Sequence, residues 1–200
     1  MVSVDKSWQS SRRSEILAAA ARLTTVEGLE GLSIARLAAE LGMSKSGLFA
    51  HFRSKEELQL ATIETAVARY TEAIIDPALA LPPGLGRLLA LSDAYFDFIG
   101  SGEFPGGCFF VYTSLDPALR RPAVRDRLAV EQRAWLGLIE QFVREARDLG
   151  ELAAEIEPAR LAFEIDAIFT GADSNFVLLD DPRYLEIGRE SVRRLLGVSG

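Results

Sequence analysis

Residues 33–58 read SIARLAAELGMSKSGLFAHFRSKEEL, and their spacing decides the local fold. Ser33 is placed to cap a short helix whose apolar face is Ile34, Leu37, Ala38 and Leu41. Gly42 stands where that helix must stop in a left-handed conformation, which glycine adopts without a Cβ penalty. Ser44 then caps a second short helix, with Leu48 and Phe52 inward and Lys45, Ser46, Gly47 and Ala50 outward. Small Ala38 lets two helices approach closely at a helix-turn-helix crossing. The outward face of the second helix is short, small and polar, as a helix entering a major groove needs to be. The spacing predicts a DNA-reading module.

The same stretch resembles the N-terminal DNA-binding domain of TetR/AcrR-type transcriptional regulators. Gly42, Ser44, Leu48, Phe49, His51, Phe52, Lys55, Glu56 and Leu58 carry the match, over about a quarter of the 200-residue chain. Two positions depart from it: Phe49 stands where the family usually has Tyr, and Ala50 where it often has His or Arg. Losing the phenol removes one expected phosphate hydrogen bond, which makes Phe49 a packing residue. The resemblance implies an all-α fold of about nine helices. Residues 1–53 would form the helix-turn-helix domain and 54–200 a helical effector-binding and dimerisation domain, with helix 54–76 as connector. It also implies a homodimer built on the last two long helices, which offer Ile165, Ile168, Ala172, Phe176, Leu185, Gly188, Val192 and Leu195. Gly171 and Gly188 would permit close helix approach. Two reader helices would then meet half-sites about one DNA turn, ~34–36 Å, apart. The implied function is a ligand-responsive repressor that binds a palindromic operator and is released by a small lipophilic molecule.

Composition is compatible with this. The net charge of −7 opposes a nucleic-acid partner, but the acid is unevenly placed. Residues 1–60 carry 8 basic and 7 acidic side chains, a net +1, whereas 61–200 carry 14 and 22, a net −8. An apolar fraction of 48% supports a real core, yet no run of eighteen apolar residues occurs, so no membrane span is expected. The N-terminal MVSVDKSWQSSRRSE lacks an apolar signal core and reads as a loose polar arm. A single cysteine, Cys108, excludes an internal disulfide and suits a reducing cytoplasm. One histidine and one cysteine leave no zinc cluster, and no cofactor is expected.

Apolar periodicity is helical throughout, with no alternating strand signal. It predicts helices over about 11–26, the two reader helices, 54–76 from a Ser54–Glu57 capping box and ending before Pro77, 85–99, the short apolar 108–112, 122–147, 158–179 and 182–196. Phosphate contacts position a DNA-binding protein and base contacts specify the sequence. Ser33 and Ser44 lie at helix N-termini and Lys55 in the first turn of the long helix, all suited to phosphate. Lys45, Ser46 and Gly47 are placed for base edges or adjacent backbone, with Arg36 on the supporting helix. The serines can equally be caps alone, and Lys6, Arg12 and Arg13 can be a DNA-seeking arm or a solvated tail. His51, the single histidine, has no oriented partner for general-base work, so it reads as structural or as a phosphate contact. Cys108 reads as a buried small hydrophobe.

The second domain is rich in aromatics, most of them ordinary core. Phe96, Phe109, Phe110, Tyr112, Trp135, Phe142 and Phe169 are candidates to line an effector cavity. Asp166, Thr170 and Asp173 fall on one ridge of an otherwise apolar helix. That ridge can line a cavity, cross a dimer interface or face water. Carboxylates among aromatics would favour a lipophilic ligand, including a cationic one. Two other functional classes stay open. One is a helical dimer acting through a protein partner without operator binding. The other is a small helical enzyme, for which no catalytic constellation can be assembled.

Overall fold

The computed structural model describes residues 3–198, with side chains from Arg12 onward. Ten α-helices follow in order: α1 (Ser3–Gly31), α2 (Ile34–Glu40), α3 (Lys45–Phe49), α4 (Lys55–Tyr70), α5 (Asp76–Leu79), α6 (Leu85–Gly100), α7 (Phe109–Thr113), α8 (Pro122–Asp148), α9 (Pro158–Leu179) and α10 (Arg183–Leu195). A π turn, Thr71–Ile75, joins α4 to α5, and a 3-10 turn, Pro117–Arg120, precedes α8. Counting α4, the π turn and α5 as one run gives nine helices, and no strand occurs among the described residues. None of the described helices is long and apolar enough to cross a membrane.

Two helix boundaries differ from the sequence reading. The segment read as a loose arm is helical from Ser3, because nothing before the break at Gly28 (φ 77°, ψ 163°) stops the helix. The connector does not end before Pro77. A π turn absorbs the register change, and Pro77 enters at the start of α5, where its missing N–H costs nothing.

The chain forms two compact units: residues 1–68 with 104–128, and residues 69–103 with 129–200. The chain therefore crosses between units within α4, after Glu103 and within α8. In the first unit Ile16, Leu17, Ala20 and Leu23 of α1 close on Leu37 and Ala38 of α2, Leu48 of α3, Phe52 and Leu58. Fully burying a side chain of this size stabilises by about 1.5–3 kcal/mol. Residues 104–128 pack on the same unit. The Gly106 N–H donates to Thr25 Oγ1 (3.1 Å), the Tyr112 hydroxyl donates to the Val26 carbonyl (2.9 Å), and Asp116 accepts from the Glu30 N–H (3.1 Å).

In the second unit α6 packs against both α9 and α10. Tyr95 stacks on Phe169 at 4.3 Å between ring centroids, and Phe96 meets Phe169 edge-on at 5.3 Å. Gly188 makes the α9–α10–α6 junction possible, since a Cβ there would lie 2.7 Å from Ala172 Cβ and from the Phe96 ring. Arg189 ties α10 to α6 through Asp93 (2.7 Å) and Asp97 (2.6 Å).

Candidate nucleic-acid interface

The turn between α2 and α3 is built by local hydrogen bonding. Gly42 has φ 60°, its N–H donates to Ala39 O (3.3 Å), and the Met43 N–H donates to Ala38 O (2.9 Å). This is the paired bonding that closes a helix over a left-handed residue. Ser33 Oγ accepts from the Arg36 N–H (3.2 Å) and Ser44 Oγ from the Gly47 N–H (3.1 Å), so both serines are caps. Ser44 Oγ also lies 3.2 Å from Ser46 Oγ. Ser54 accepts from the Glu57 N–H (3.0 Å), while Glu57 accepts from the Arg53 N–H (2.8 Å), one residue before the cap.

With Leu48 and Phe52 fully buried, α3 turns Lys45, Ser46, Phe49 and Ala50 to solvent. Gly47 and His51 are half-buried. Phe49 is 55% exposed, which corrects its reading as a packing residue. The five-residue helix turns one side chain, Leu48, inward, and Phe52 just beyond it completes the buried side.

Two expected DNA contacts are engaged within the protein. Arg36 bonds Glu27 (Nε–Oε1, 2.8 Å) and Glu40 (Nη1–Oε2, 2.9 Å), and these carboxylates, Glu27 first, push its guanidinium further into the charged form. The Lys55 ammonium donates to the Glu30 carbonyl and lies 3.3 Å from Glu30 Oε1. Arg13 covers the Phe52 ring at 4.9 Å, and Arg12 pairs with Glu15 at 2.7 Å, so neither belongs to a loose tail. The side chain of Lys6 lies outside the described residues.

The effector candidates divide between the units. Phe96, Trp135, Phe142, Asp166, Phe169, Thr170 and Asp173 fall in the second unit, whereas Phe109, Phe110 and Tyr112 belong to the first. Phe109 is fully buried there against Phe104 and Phe110. Within the second unit the structure gathers Phe96, Trp135 and Phe169 with Tyr95. Tyr95 was missed in sequence because its helical spacing with Leu88 and Leu91 reads as plain core. The polar ridge of α9 does not act as one. Asp166 accepts from Trp135 Nε1 (2.9 Å) and Gln132 Nε2 (3.1 Å), Asp173 is buried, and Thr170 is exposed. Burial pushes the Asp166 carboxyl above the ordinary aspartate range, against the two hydrogen bonds. Cys108 is buried.

The dimer stripe needs a larger correction. Ala172, Leu185, Gly188 and Val192 are buried within the chain, which leaves little of them for a second copy. Ile165 is likewise core, while Ile168 and Phe176 are half-buried and Leu195 is 36% exposed. The outward apolar residues are instead Phe163, Val177, Leu178 and Leu179 of α9, with Ile187 and Leu195 of α10.

Comparison with known proteins agrees with this architecture. The HTH-type transcriptional repressor AcnR of Corynebacterium diphtheriae is 39% identical over 70 residues, 35% of this chain and 37% of that protein. AcnR of Corynebacterium jeikeium is 26% identical over 168 residues, 81% of this chain and 79% of that one. The chain thus spans well under half of the first of these relatives and about four-fifths of the second. A TetR transcriptional regulator from Chloroflexus aurantiacus J-10-FL superposes with a TM-score of 0.85 at 26% identity, covering 94% of this chain and 95% of that one. Residues 16–62 match the family model of bacterial regulatory proteins of the tetR family, and residues 84–192 match the tetracyclin repressor-like C-terminal domain. With a reader that caps and turns as described and a C-terminal match over more than half its length, the chain belongs to the TetR family of bacterial transcriptional regulators.

Proposed function

We propose that the protein is an operator-binding repressor that acts as a homodimer and is released from DNA by a lipophilic small molecule held in its second unit. The observation that carries this reading is the solvent face of α3, where Lys45, Ser46 and Ala50 stand on a helix fixed from behind by Leu48 and Phe52. Lys45 and Ser46 are suited to base edges or nearby phosphates. Ser33, Ser44 and His51, with the half-buried Gly47, frame that face and suit the DNA backbone, where helix N-termini favour anions. The C. jeikeium relative that aligns with most of the chain is a transcriptional repressor. The effector would meet the Tyr95, Phe96, Trp135 and Phe169 rings, with Asp166 as the polar group that orients it.

The dimer would form on the outward face of α9 and α10. Phe163, Ala167, Thr170, Ser174 and Leu178 recur there at helical steps, and Ile187 and Leu195 stand on α10. A two-fold pair would set two α3 helices about one DNA turn apart, ~34–36 Å. Effector binding would shift the population between spacings that fit the operator and spacings that do not. The test is binding to duplex DNA from upstream of the protein's own gene, against a random duplex, by wild type and Lys45→Ala. Selective binding that Lys45→Ala weakens at least tenfold supports the reading. Equal affinity for both duplexes, unchanged by the substitution, removes it.

A further inference from the structure

Glu30 sits at a junction in the first unit, two residues past the break at Gly28. Its N–H donates to Asp116 Oδ1 (3.1 Å) and its carbonyl accepts from Lys55 Nζ. Oε1 of its carboxylate lies 3.3 Å from the same ammonium, and Arg121 bonds both Oε2 and, at 3.3 Å, Oε1. All three side chains are between 33% and 42% exposed, so an ion from solution can reach them. The Arg121 guanidinium, and then Lys55, hold the Glu30 carboxyl down at about 2, against its partial burial. Glu30 is therefore ionised wherever the protein is folded and working.

We propose that Glu30 is a built-in competitor for DNA phosphate, whose carboxylate holds the Lys55 ammonium in the free protein while Arg121 sets how firmly it does so. An ammonium has three donors, and two of those on Lys55 are directed at Glu30. A phosphate that takes Lys55 must displace the carboxylate or sit beside its negative charge. Lys55, Glu30 and Arg121 together carry a net +1, and neutralising Glu30 raises this to +2. Arg121 moderates the competition because it bonds both oxygens of the same carboxylate and shares Oε1 with Lys55, dividing that negative charge between two cations. It lies just past the 3-10 turn of the segment that returns to this unit, so lifting Arg121 leaves the carboxylate to Lys55 alone. The effect falls on all sequences alike, since phosphate contacts carry no base information. The inference rests on the reading of Lys55 as a phosphate contact.

The experiment measures fluorescence anisotropy over a range of KCl concentrations. The probes are a duplex recovered by selection from a random pool and an unrelated duplex, with Glu30→Gln, Arg121→Gln, the double variant and Lys55→Ala. Glu30→Gln is expected to tighten binding to both duplexes about tenfold at low salt and to steepen the salt slope by roughly one phosphate equivalent. Arg121→Gln is expected to weaken both several-fold, and the double variant to regain the tight binding. The two single variants act in opposite directions, so a general loss of structure cannot imitate the pattern, and circular dichroism checks each fold. Unchanged affinity and slope in Glu30→Gln, with a flatter slope in Lys55→Ala, overturn the competitor while leaving the phosphate contact. If Lys55→Ala also keeps the slope while selective binding persists, the Lys55 contact and the competitor both fall. Absence of selective binding by wild type removes the operator reading as well.

Discussion

Phe49 shows how much one atom can matter on the solvent face of α3. An exposed phenyl ring gains nothing from water, and it lacks the hydroxyl that family resemblance places there. Phe49→Tyr restores a phosphate donor on an already exposed side chain, and a hydrogen bond to a charged group contributes about 1.5–3 kcal/mol. The expected outcome is tighter binding to operator and random DNA alike, at least several-fold by anisotropy. Unchanged affinity would place the ring away from the backbone. Asp166 is the second residue whose environment makes a definite forecast. Its folded pKa is raised by burial, so ionising it is harder in the folded state than in the unfolded chain. Its stabilisation is present below the unfolded value and is lost as pH rises through the folded one. Wild type should therefore lose stability relative to Asp166→Asn as pH climbs from the ordinary aspartate range toward neutrality. Urea unfolding across that window measures this, and a constant difference would show that Asp166 does not titrate there.

Among the elements, the segment after Glu103 is joined to α1 by close backbone approach. A Cβ at Gly106 would overlap the carbonyl of Thr25, which is main chain and has no rotamer to turn away. Gly106→Ala is expected to cost about 1–3 kcal/mol, in line with overpacking, and to lower the melting temperature. A change within a few tenths of a kcal/mol would mean that the segment relaxes freely. The recognition element behaves differently, since Gly42 has open space around a would-be Cβ and is required for its positive φ alone. The reader helices are thus fixed by bonds within a dozen residues. The α1 junction is fixed by groups as far apart as Glu30 and Arg121, 91 positions along the chain.

At the scale of the whole molecule, the proposed second copy would meet the apolar side chains that α9 and α10 leave outside. α10 buries Leu185, Gly188 and Val192 against its own chain and leaves Ile187 and Leu195 outside. Leu178 of α9 is 81% exposed, an unfavourable state for an isolated leucine that a partner would relieve. Leu178→Glu with Ile187→Glu is expected to convert a dimer to monomer by analytical ultracentrifugation. Binding to a two-half-site operator should weaken with it, while the melting of the monomer changes little. A variant that stays dimeric at micromolar concentration would move the interface elsewhere.

The helix-turn-helix was legible in the sequence because its signals are local. Ser33, Gly42 and Ser44 bond to groups three residues away, and Leu37, Leu48 and Phe52 lie at spacings that only one helical phase can bury. The all-α architecture followed from the same periodicity, with the early start of α1 at Ser3 and the π turn before Pro77 as departures. Periodicity says that a stripe is apolar, but not whether its own chain or another copy covers it. For that reason periodicity alone does not show that Leu185, Gly188 and Val192 on the inner stripe of α10 are covered by their own chain. Nor can spacing along the chain show that Lys55, Arg121 and Glu30 share one carboxylate. The sequence by itself determined the reader and its helical class, through short-range hydrogen bonds and helical phase. Only the tertiary structure decided which charges are already paired and which apolar residues remain outside, because those depend on packing between residues far apart in the chain.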